Sequence, residues 1–423
     1  MHPLPLFKGY KERGVFFIII LFIFAINTFI EYTQYKHFKT NEIYQTDAIV
    51  INRYPKEKYI VLKLQTKNFT FFTTVDKSLI LDKFQNINIY LVTKEITFLS
   101  YLKGFFSNSF NITPNEKKKL FKESFYQTIE NQHNSKAIAS LYSALFLATP
   151  LDQEIRLLAS NLGISHLIAI SGFHLGLMSL VLYFLLHILY NKLHKKFTPH
   201  RNKRFDIMIC ISIILFSYLI FLDLPASLLR AFVMFVFALF LLRNNIKLIS
   251  FETLFIISIF IISLFPKLLF SLSLWFSISG VFYIFLFLNY FKKLNKYVQL
   301  LLFNFWIYFA MNPIVHYFFP TTTIEQLFSP ILTILFSLFY PLSILLHLLG
   351  YGDFLDWIIQ YLMNLDIKDT EVFTPLWVFL SYICLSLLAI SKKIFFVLLN
   401  IAIIVYTIWL FQSTFKEYLF IGI

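Results

Sequence analysis

The sequence predicts a polytopic α-helical membrane protein with a small N-terminal extracytoplasmic β-barrel (OB-like) domain. Three observations carry this. Of 423 residues, 58% are hydrophobic and only 14% charged, too few charges to cover a soluble fold of this size. Several apolar runs, 162–189 and 268–290 among them, reach the roughly 20 residues needed to cross a bilayer. A polar, β-rich stretch separates the first such run from the others.

Taken in order, Lys8, Lys11 and Arg13 precede the apolar run 15–30, and no small-residue cleavage site follows. Residues 1–31 are therefore expected to be an uncleaved anchor with its N-terminus in the cytoplasm. The net charge of +14 first reports this kind of topology, because Lys and Arg collect in cytoplasmic loops. It also suits a polyanionic partner, and charge alone does not choose. Cys210 and Cys384 lie in apolar runs and read as buried small hydrophobes, with no disulfide framework implied.

Residues 44–105 form the expected β-domain. Strands are predicted at 46–52, 57–65, 68–74 and 86–94, where β-branched and aromatic residues dominate and YIVLKLQ alternates toward its end. About five short strands in this length fit an OB-type barrel, although a sandwich fragment would read similarly. Between 43 and 103 there are nine Lys/Arg against five Asp/Glu, so the domain is mildly basic. An inside-to-outside first span puts it outside the cytoplasm.

Connecting helices are expected over 113–148. Thr113, Pro114 and Glu116 read as a cap, a first-turn proline and a capping box. Leu120, Phe121, Phe125, Thr128 and Ile129 share one face, as in an interfacial helix, with Lys117, Lys118, Lys119 and Lys122 largely off it. A second helix covers 135–148.

The remaining stretch, 149–423, is read as the multi-span domain. Spans are expected at 162–189, 205–222, 226–242, 248–265, 268–290, 297–319, 327–349, 375–390 and 394–411. The loop 191–204 carries six Lys/Arg and no acid, which makes it cytoplasmic. Arg243 with Lys247, and Lys292, Lys293 and Lys296, agree with that count. Lys392 and Lys393 do not, unless the run 327–349, interrupted by Pro341, is a re-entrant or broken hairpin. Residues 353–365 place Phe354, Ile358, Tyr361, Leu362 and Leu365 on one face and predict a second surface-lying helix.

Inside the run 162–189 sits HLIAISGFHLG, residues 166–176. On a continuous helix, His166, Ile170 and His174 form one stripe, with Ser171 one turn from His174. Gly172 and Gly176 are spaced for close helix approach or a break. Polar groups at membrane depth face a bundle interior or a wet path; the plain alternative is two histidines and a serine bonded to neighbouring backbone. Arg230 enters an apolar run at a cost of about 2.5–3.5 kcal/mol. It either snorkels to the interface or faces an anion, with Asp223 as a local partner. Ser273, Ser277 and Gly280 mark a packing seam, and Asn312-Pro313, near His316, a break in a span. There is no phosphate-binding glycine loop, no HExxH, no zinc-spaced Cys/His cluster and no G-x-S-x-G elbow. No metal, cofactor or catalytic residue is therefore expected.

HLIAISGFHLGL resembles the signature of the ComEC competence-protein family, inner-membrane channels for DNA uptake. PASLLRAFVM, FPKLLFSLSLWFSISG, the Asn-Pro stretch and the Pro-interrupted run from 328 resemble later family segments, so the likeness covers about 45–411. The family often shows a Gly-containing basic stretch before the signature, where this chain has Ala148-Thr149-Pro150. Many members end in a metallo-β-lactamase-like domain; the sequence reaches Ile423 with no H-x-H-x-D-H, so strand degradation is expected of a separate nuclease.

The resemblance implies transport of single-stranded transforming DNA across the cytoplasmic membrane. Its partners would be membrane lipid, an outer DNA receptor, a cytoplasmic motor ATPase and that nuclease; homo-oligomerisation stays open. Channel-lining or DNA-path candidates are His166, Ser171, His174 and Arg230. In the outer domain, Tyr59, Lys63, Lys67, Phe69, Phe71 and Phe72 are candidate DNA contacts, with Phe71 or Phe72 required by the core. Two other functions remain: a secondary transporter of a smaller anionic solute, and an intramembrane enzyme with His166 or His174 as base.

Overall fold

The computed structural model describes residues 7, 9–79, 81, 85–115, 121–197, 200–246 and 249–420. The chain divides into two compact units, one of Met1–Thr128, Asn244–Lys247 and Phe255–Leu274, the other of Ile129–Arg243, Leu248–Leu254 and Trp275–Ile423.

The first unit opens with helix α1 (Tyr10–Phe38), long and apolar enough to span a membrane. Six strands follow, β1 (Ile43–Pro55), β2 (Ile60–Gln65), β3 (Thr70–Val75), β4 (Asn86–Val92), β5 (Phe105–Phe106) and β6 (Ser109–Pro114), with the short helix α2 (Phe98–Lys103) between β4 and β5. The alternation that predicted β2 is realised: Ile60, Leu62 and Leu64 are buried while Val61 and Lys63 face the other way. β1 is long enough to serve two partners. Its first half, Ile43 to Ile49, pairs with β4 and its second, Ile49 to Pro55, with β2, around a bulge between Val50 and Asn52.

The strand order is β5-β3-β2-β1-β4-β6, and this is an open sheet, not the closed barrel expected. No ladder joins β3 to β6; a hydroxyl pair, Thr73 Oγ1 and Ser109 Oγ at 2.6 Å, links them instead. Thr113 and Pro114 end β6 and do not cap a helix, while Glu116, Lys117, Lys118, Lys119 and Leu120 lie outside the described residues.

The core of this unit recruits the end of α1. Phe38 is 1% exposed and packs with Phe69, Phe71, Tyr101 and Phe105. Tyr35 donates to the Ile96 carbonyl at 2.9 Å. A 3-10 turn, Pro266–Phe270, belongs to the same unit through Lys267. Its Nζ is 2.8 Å from Glu31 Oε2, donates to the Asn68 carbonyl at 2.6 Å and lies 5.3 Å from the Tyr101 ring centroid. Burial pushes the Tyr101 hydroxyl pKa well up. In the turn after β3 the Ser78 backbone N–H, 2.9 Å from Asp76 Oδ1, holds that exposed carboxyl below its usual range.

The second unit is helical, preceded by α3 (Phe121–Glu130), which bridges the unit boundary in sequence. It contains α4 (Lys136–Leu147), α5 (Gln153–Asn161), the single turn α6 (Ser165–Ile168), α7 (Gly172–Phe197), α8 (Lys203–Phe221) and α9 (Ala226–Arg243). After α10 (Phe251–Leu264) come α11 (Leu272–Tyr290), α12 (Lys296–Phe318), α13 (Ser329–Leu348), α14 (Asp356–Met363), α15 (Leu376–Leu388) and α16 (Lys393–Phe420). Two-residue strands β7 (Thr321–Thr322) and β8 (Thr370–Glu371) pair antiparallel. Among the described residues, seven helices are long and apolar enough to cross a membrane. Two expected spans, 248–265 and 375–390, are helices of 14 and 13 residues, short of the roughly 20 required.

Five expectations for this unit change. The run 162–189 is not one helix, because the chain breaks between α6 and α7. The first half of the basic loop 191–204 continues α7 to Phe197. Pro341 lies inside an unbroken α13, so 327–349 is no re-entrant hairpin, and Pro313 lies inside an unbroken α12. A proline forfeits one helix hydrogen bond, and neighbouring side chains can re-satisfy the carbonyls around it. Tyr382 does this near Pro313, donating to Ala310 O at 2.7 Å. Finally, Cys210 and Cys384 are exposed on α8 and α15, not buried; both thiols are free.

Replacing Phe71, with no exposed surface, by Ala should cost about 3–5 kcal/mol of the first unit's stability. Replacing Phe72, on the outer face of the same strand, should cost far less. Thermal unfolding followed by near-UV circular dichroism separates the two.

Candidate functional site

The 166–176 stretch is built by what precedes it. α4 ends at Ala148, whose left-handed backbone (φ 55°) turns the chain, and Pro150 prevents the helix from continuing. Asp152 caps α5, accepting the Glu154 N–H at 3.2 Å. Gly163, at φ +65°, closes α5, and a Cβ there would meet Gln326 at 3.3 Å and Ser329 at 3.4 Å. α6 then makes one turn, Ala169 is extended, and α7 starts at Gly172.

That start explains two of the motif's polar residues. Ser171 Oγ accepts the Phe173 N–H at 3.3 Å, and His174 Nδ1 accepts the Ser171 N–H at 3.2 Å. This is a reciprocal capping box in which histidine takes the place usually held by Glu or Gln. Because Nδ1 accepts from a backbone N–H, a neutral His174 carries its proton on Nε2. That atom is buried without a well-formed hydrogen bond.

The structure therefore sorts the path candidates. His174 has no exposed surface and is held edge-on between Phe336 and Tyr340 of α13, 5.4 and 4.7 Å away between ring centres. It braces the helix start and borders no open space. His166 is exposed in spite of the density of protein around it, and Ser171 is half-buried. The predicted His166–Ile170–His174 stripe is absent because the three residues do not share a helix; Ile170 is buried. Arg230 is 4% exposed on α9, so it does not snorkel into water, while Asp223 is exposed in the turn ahead of that helix. Asp223 and Leu224 are both left-handed, at φ 63° and 55°, a strained entry to Pro225.

Gly172 brings the two motifs together, since a Cβ on it would touch Ala231 Cβ, next to Arg230, at 3.6 Å. Gly176 faces open space. Asn312 and Pro313 are buried in α12, away from any helix break.

Sequence reading missed a polar clamp in the segment 321–329. Thr323 Oγ1 donates to Asn161 O, Gln326 Nε2 to Ser160 O at 3.1 Å and Thr321 O at 2.9 Å, and Ser329 Oγ to Gly163 O at 2.9 Å. These side chains satisfy carbonyls that end α5 and precede α6. The signal was there, as TTTIEQ interrupts two apolar runs, but its partners lie more than 160 residues away.

In the β-domain, Phe69 and Phe71 belong to the core, which withdraws them as DNA contacts. Lys63 and Phe72 face each other across β2 and β3 on the opposite face, with Nζ 5.9 Å from the ring centroid. The exposed Phe106, paired with Phe72, extends this row and was not foreseen. Tyr59 and Lys67 are exposed in the turns flanking β2.

The helical spans with a capped, clamped polar junction between them define a polytopic membrane protein built around one interrupted segment. A family model described as competence protein matches residues 148–415, which includes the junction, α9 and the clamp. The chain belongs to the competence protein family. No curated protein and no solved structure matches it.

Gln326→Leu takes the side-chain donor from the part-buried Ser160 and Thr321 carbonyls, of which Ser160 keeps the Gly163 N–H, and should destabilise the second unit by about 1–3 kcal/mol. Protease nicking between 161 and 171 should rise with it. Equal nicking in the variant and the parent chain removes the clamp from this account.

Proposed function

We propose that this protein conducts transforming DNA, as a single strand, through the cytoplasmic membrane. The observation that carries the reading is the competence-family match over 148–415, because that range contains the whole interrupted polar segment. A polyanion does not enter hydrocarbon, so its path needs polar and cationic walls with protein supporting any irregular backbone. In this reading His166 and Ser171 border the path, His174 fixes the helix start behind them, and Arg230 supplies buried positive charge on the neighbouring helix. Sparse contacts let the strand leave as well as enter.

The β-domain is proposed to lie outside the cytoplasm, with the N-terminus inside, and to receive the strand. Lys63, Phe72 and Phe106 offer a cation beside two stackable rings, the combination that binds single strands with little sequence preference. The chain acts as a channel component and not as a nuclease or ATPase. An outer DNA receptor and a cytoplasmic motor are its proposed partners.

A strain in which Arg230 is replaced by Gln should keep normal membrane levels of the protein and normal DNA entry into the periplasm. DNA entry into the cytoplasm should fall at least tenfold. Unchanged cytoplasmic entry removes Arg230 from the path, and loss of periplasmic entry alone overturns the transport role. For the purified full chain, replacing both Phe72 and Phe106 by Ala should weaken single-stranded DNA binding by about 1–3 kcal/mol per stacked base. The salt dependence should be unchanged, because no phosphate contact is lost.

A further inference from the structure

Outside the junction, three ionisable side chains from distant parts of the second unit form a line. His133 lies in the turn before α4, with a side chain that has no exposed surface. Its Nδ1 is 2.9 Å from Asp356 Oδ2 and 3.0 Å from Oδ1, at the start of α14. Its Nε2 is 3.0 Å from His347 Nε2, near the end of α13. His347 Nδ1 is in turn 2.7 Å from the Ser343 carbonyl.

Both ends of this line, a carbonyl and a carboxylate, are acceptors. Between them run three hydrogen bonds, and each needs a proton. Two neutral imidazoles supply only two. If His347 donates from Nδ1 to Ser343, its Nε2 is a lone pair, and His133 must donate to it from Nε2. His133 Nδ1 then also needs a proton to meet Asp356, or Asp356 must carry one. With no third proton, two lone pairs face each other at 3.0 Å, or one faces the carboxylate, or one faces the Ser343 carbonyl at 2.7 Å.

We propose that His133, His347 and Asp356 are a proton-binding site, which holds one proton beyond those of two neutral imidazoles and with it latches the chain entering α4 onto the α13–α14 turn. The latch has further parts. Gln132 Nε2 donates to His347 O at 3.3 Å, and the Gly352 N–H donates to Gln132 Oε1 at 3.0 Å. A side chain on Gly352 would run into Gln132 and His347.

The groups that face the site are few. From α4, the Tyr142 ring stacks on His133 at 4.6 Å and 4° and lies 4.6 Å from His347. From α13 and α14 come His347 and Asp356 themselves. α5 packs on α4 and α14 and brings Asp152, Glu154 and Arg156. Asp152 and Arg156 are engaged at the start of α5 itself, with the Glu154 N–H and the Leu151 carbonyl. Tyr142 also stacks on Phe339 of α13, the helix whose Phe336 and Tyr340 enclose His174. The proton therefore sits where it bears on the packing of the capped junction.

The proton count fixes the sign of the pH dependence. Above roughly pH 6.5, an opened latch with ordinary side chains holds two imidazole protons against three when closed, so opening releases one. Between about pH 4 and 6.5 the opened form holds four, so opening takes one up. The latch is tightest near pH 6.5 and loosens about tenfold per pH unit on either side.

The test is hydrogen exchange over 130–136 in the full chain in detergent, with rates normalised to the unstructured rate. Asp356→Asn is the informative variant, because its amide N–H completes the three bonds without an added proton. The parent chain should open tenfold more per unit above pH 6.5, and Asp356→Asn should be flat there. The same alkaline limb in both, or none in the parent, overturns the proposal.

Should the variant not fold, the parent chain decides alone. At pH 8 it should show either a doubly protonated imidazole by 15N resonance or a protonated carboxyl by infrared; neither signal, or a stoichiometric metal ion in the purified protein, overturns it. None of these readings involves DNA, so the outcome is independent of the transport role.

Discussion

The carbonyls of Ser160, Asn161 and Gly163 lie past the regular bonding of α5, with the Gly163 N–H turning back to Ser160 O at 3.0 Å, and the junction depends on how the side chains of a distant segment complete this end. A helix that ends among apolar side chains cannot leave them to solvent, and an unpaired buried carbonyl costs on the order of a kcal/mol or more. Thr323, Gln326 and Ser329 take all three. Because those side chains sit on one short segment leading into α13, the end of α5 is tied to the start of α13. α6 and the non-helical residues 169–171 are hung between α5 and α7. The Ser171–His174 capping box then sets where α7 begins. An irregular stretch within the apolar part of a membrane protein is stable only with this kind of side-chain support.

Elsewhere in the second unit, single polar contacts between apolar helices set their rotation. Helices that are apolar all round have no preferred face in lipid, so directional bonds and shape must choose one. Tyr283 of α11 meets Ser386 of α15 at 2.9 Å, Tyr290 donates to Ala389 O at 2.6 Å, and Trp306 of α12 donates to Asn400 of α16 at 2.8 Å. Tyr290 also stacks on Phe396 at 3.9 Å and 8°. Four helices are thereby fixed against one another by tyrosine, tryptophan, serine and asparagine, placed at wide intervals in sequences that otherwise read as uniform.

What could be read from the chain alone follows from the range of the forces involved. β2 was legible because Ile60, Leu62 and Leu64 alternate. The motif 166–176 stood out by residue type, and so did Arg230. Its geometry did not, because hydropathy is continuous from 162 to 189 and the break is enforced by Gln326 and Ser329 from far along the chain. Sheet closure was misjudged for a similar reason: whether β3 and β6 form a ladder is decided where two edges meet, not by the pattern within either strand. The His133–Asp356 contact joins residues 223 positions apart and leaves no local trace.

Lys267 has a consequence for how the β-domain can be handled. It enters the first unit from beyond α10, nearly two hundred positions after Asn68, to meet the Glu31 carboxylate and the Asn68 carbonyl beside the Tyr101 ring. Cutting the gene after the β-strands would thus not excise a self-sufficient piece. The released fragment would present a half-buried acid and an unclaimed carbonyl where a cation belongs. It would also lack the Phe270 ring that lies under Lys103. Supplying residues 255–274 in trans, or splicing them on through a linker, would restore the missing counterpart.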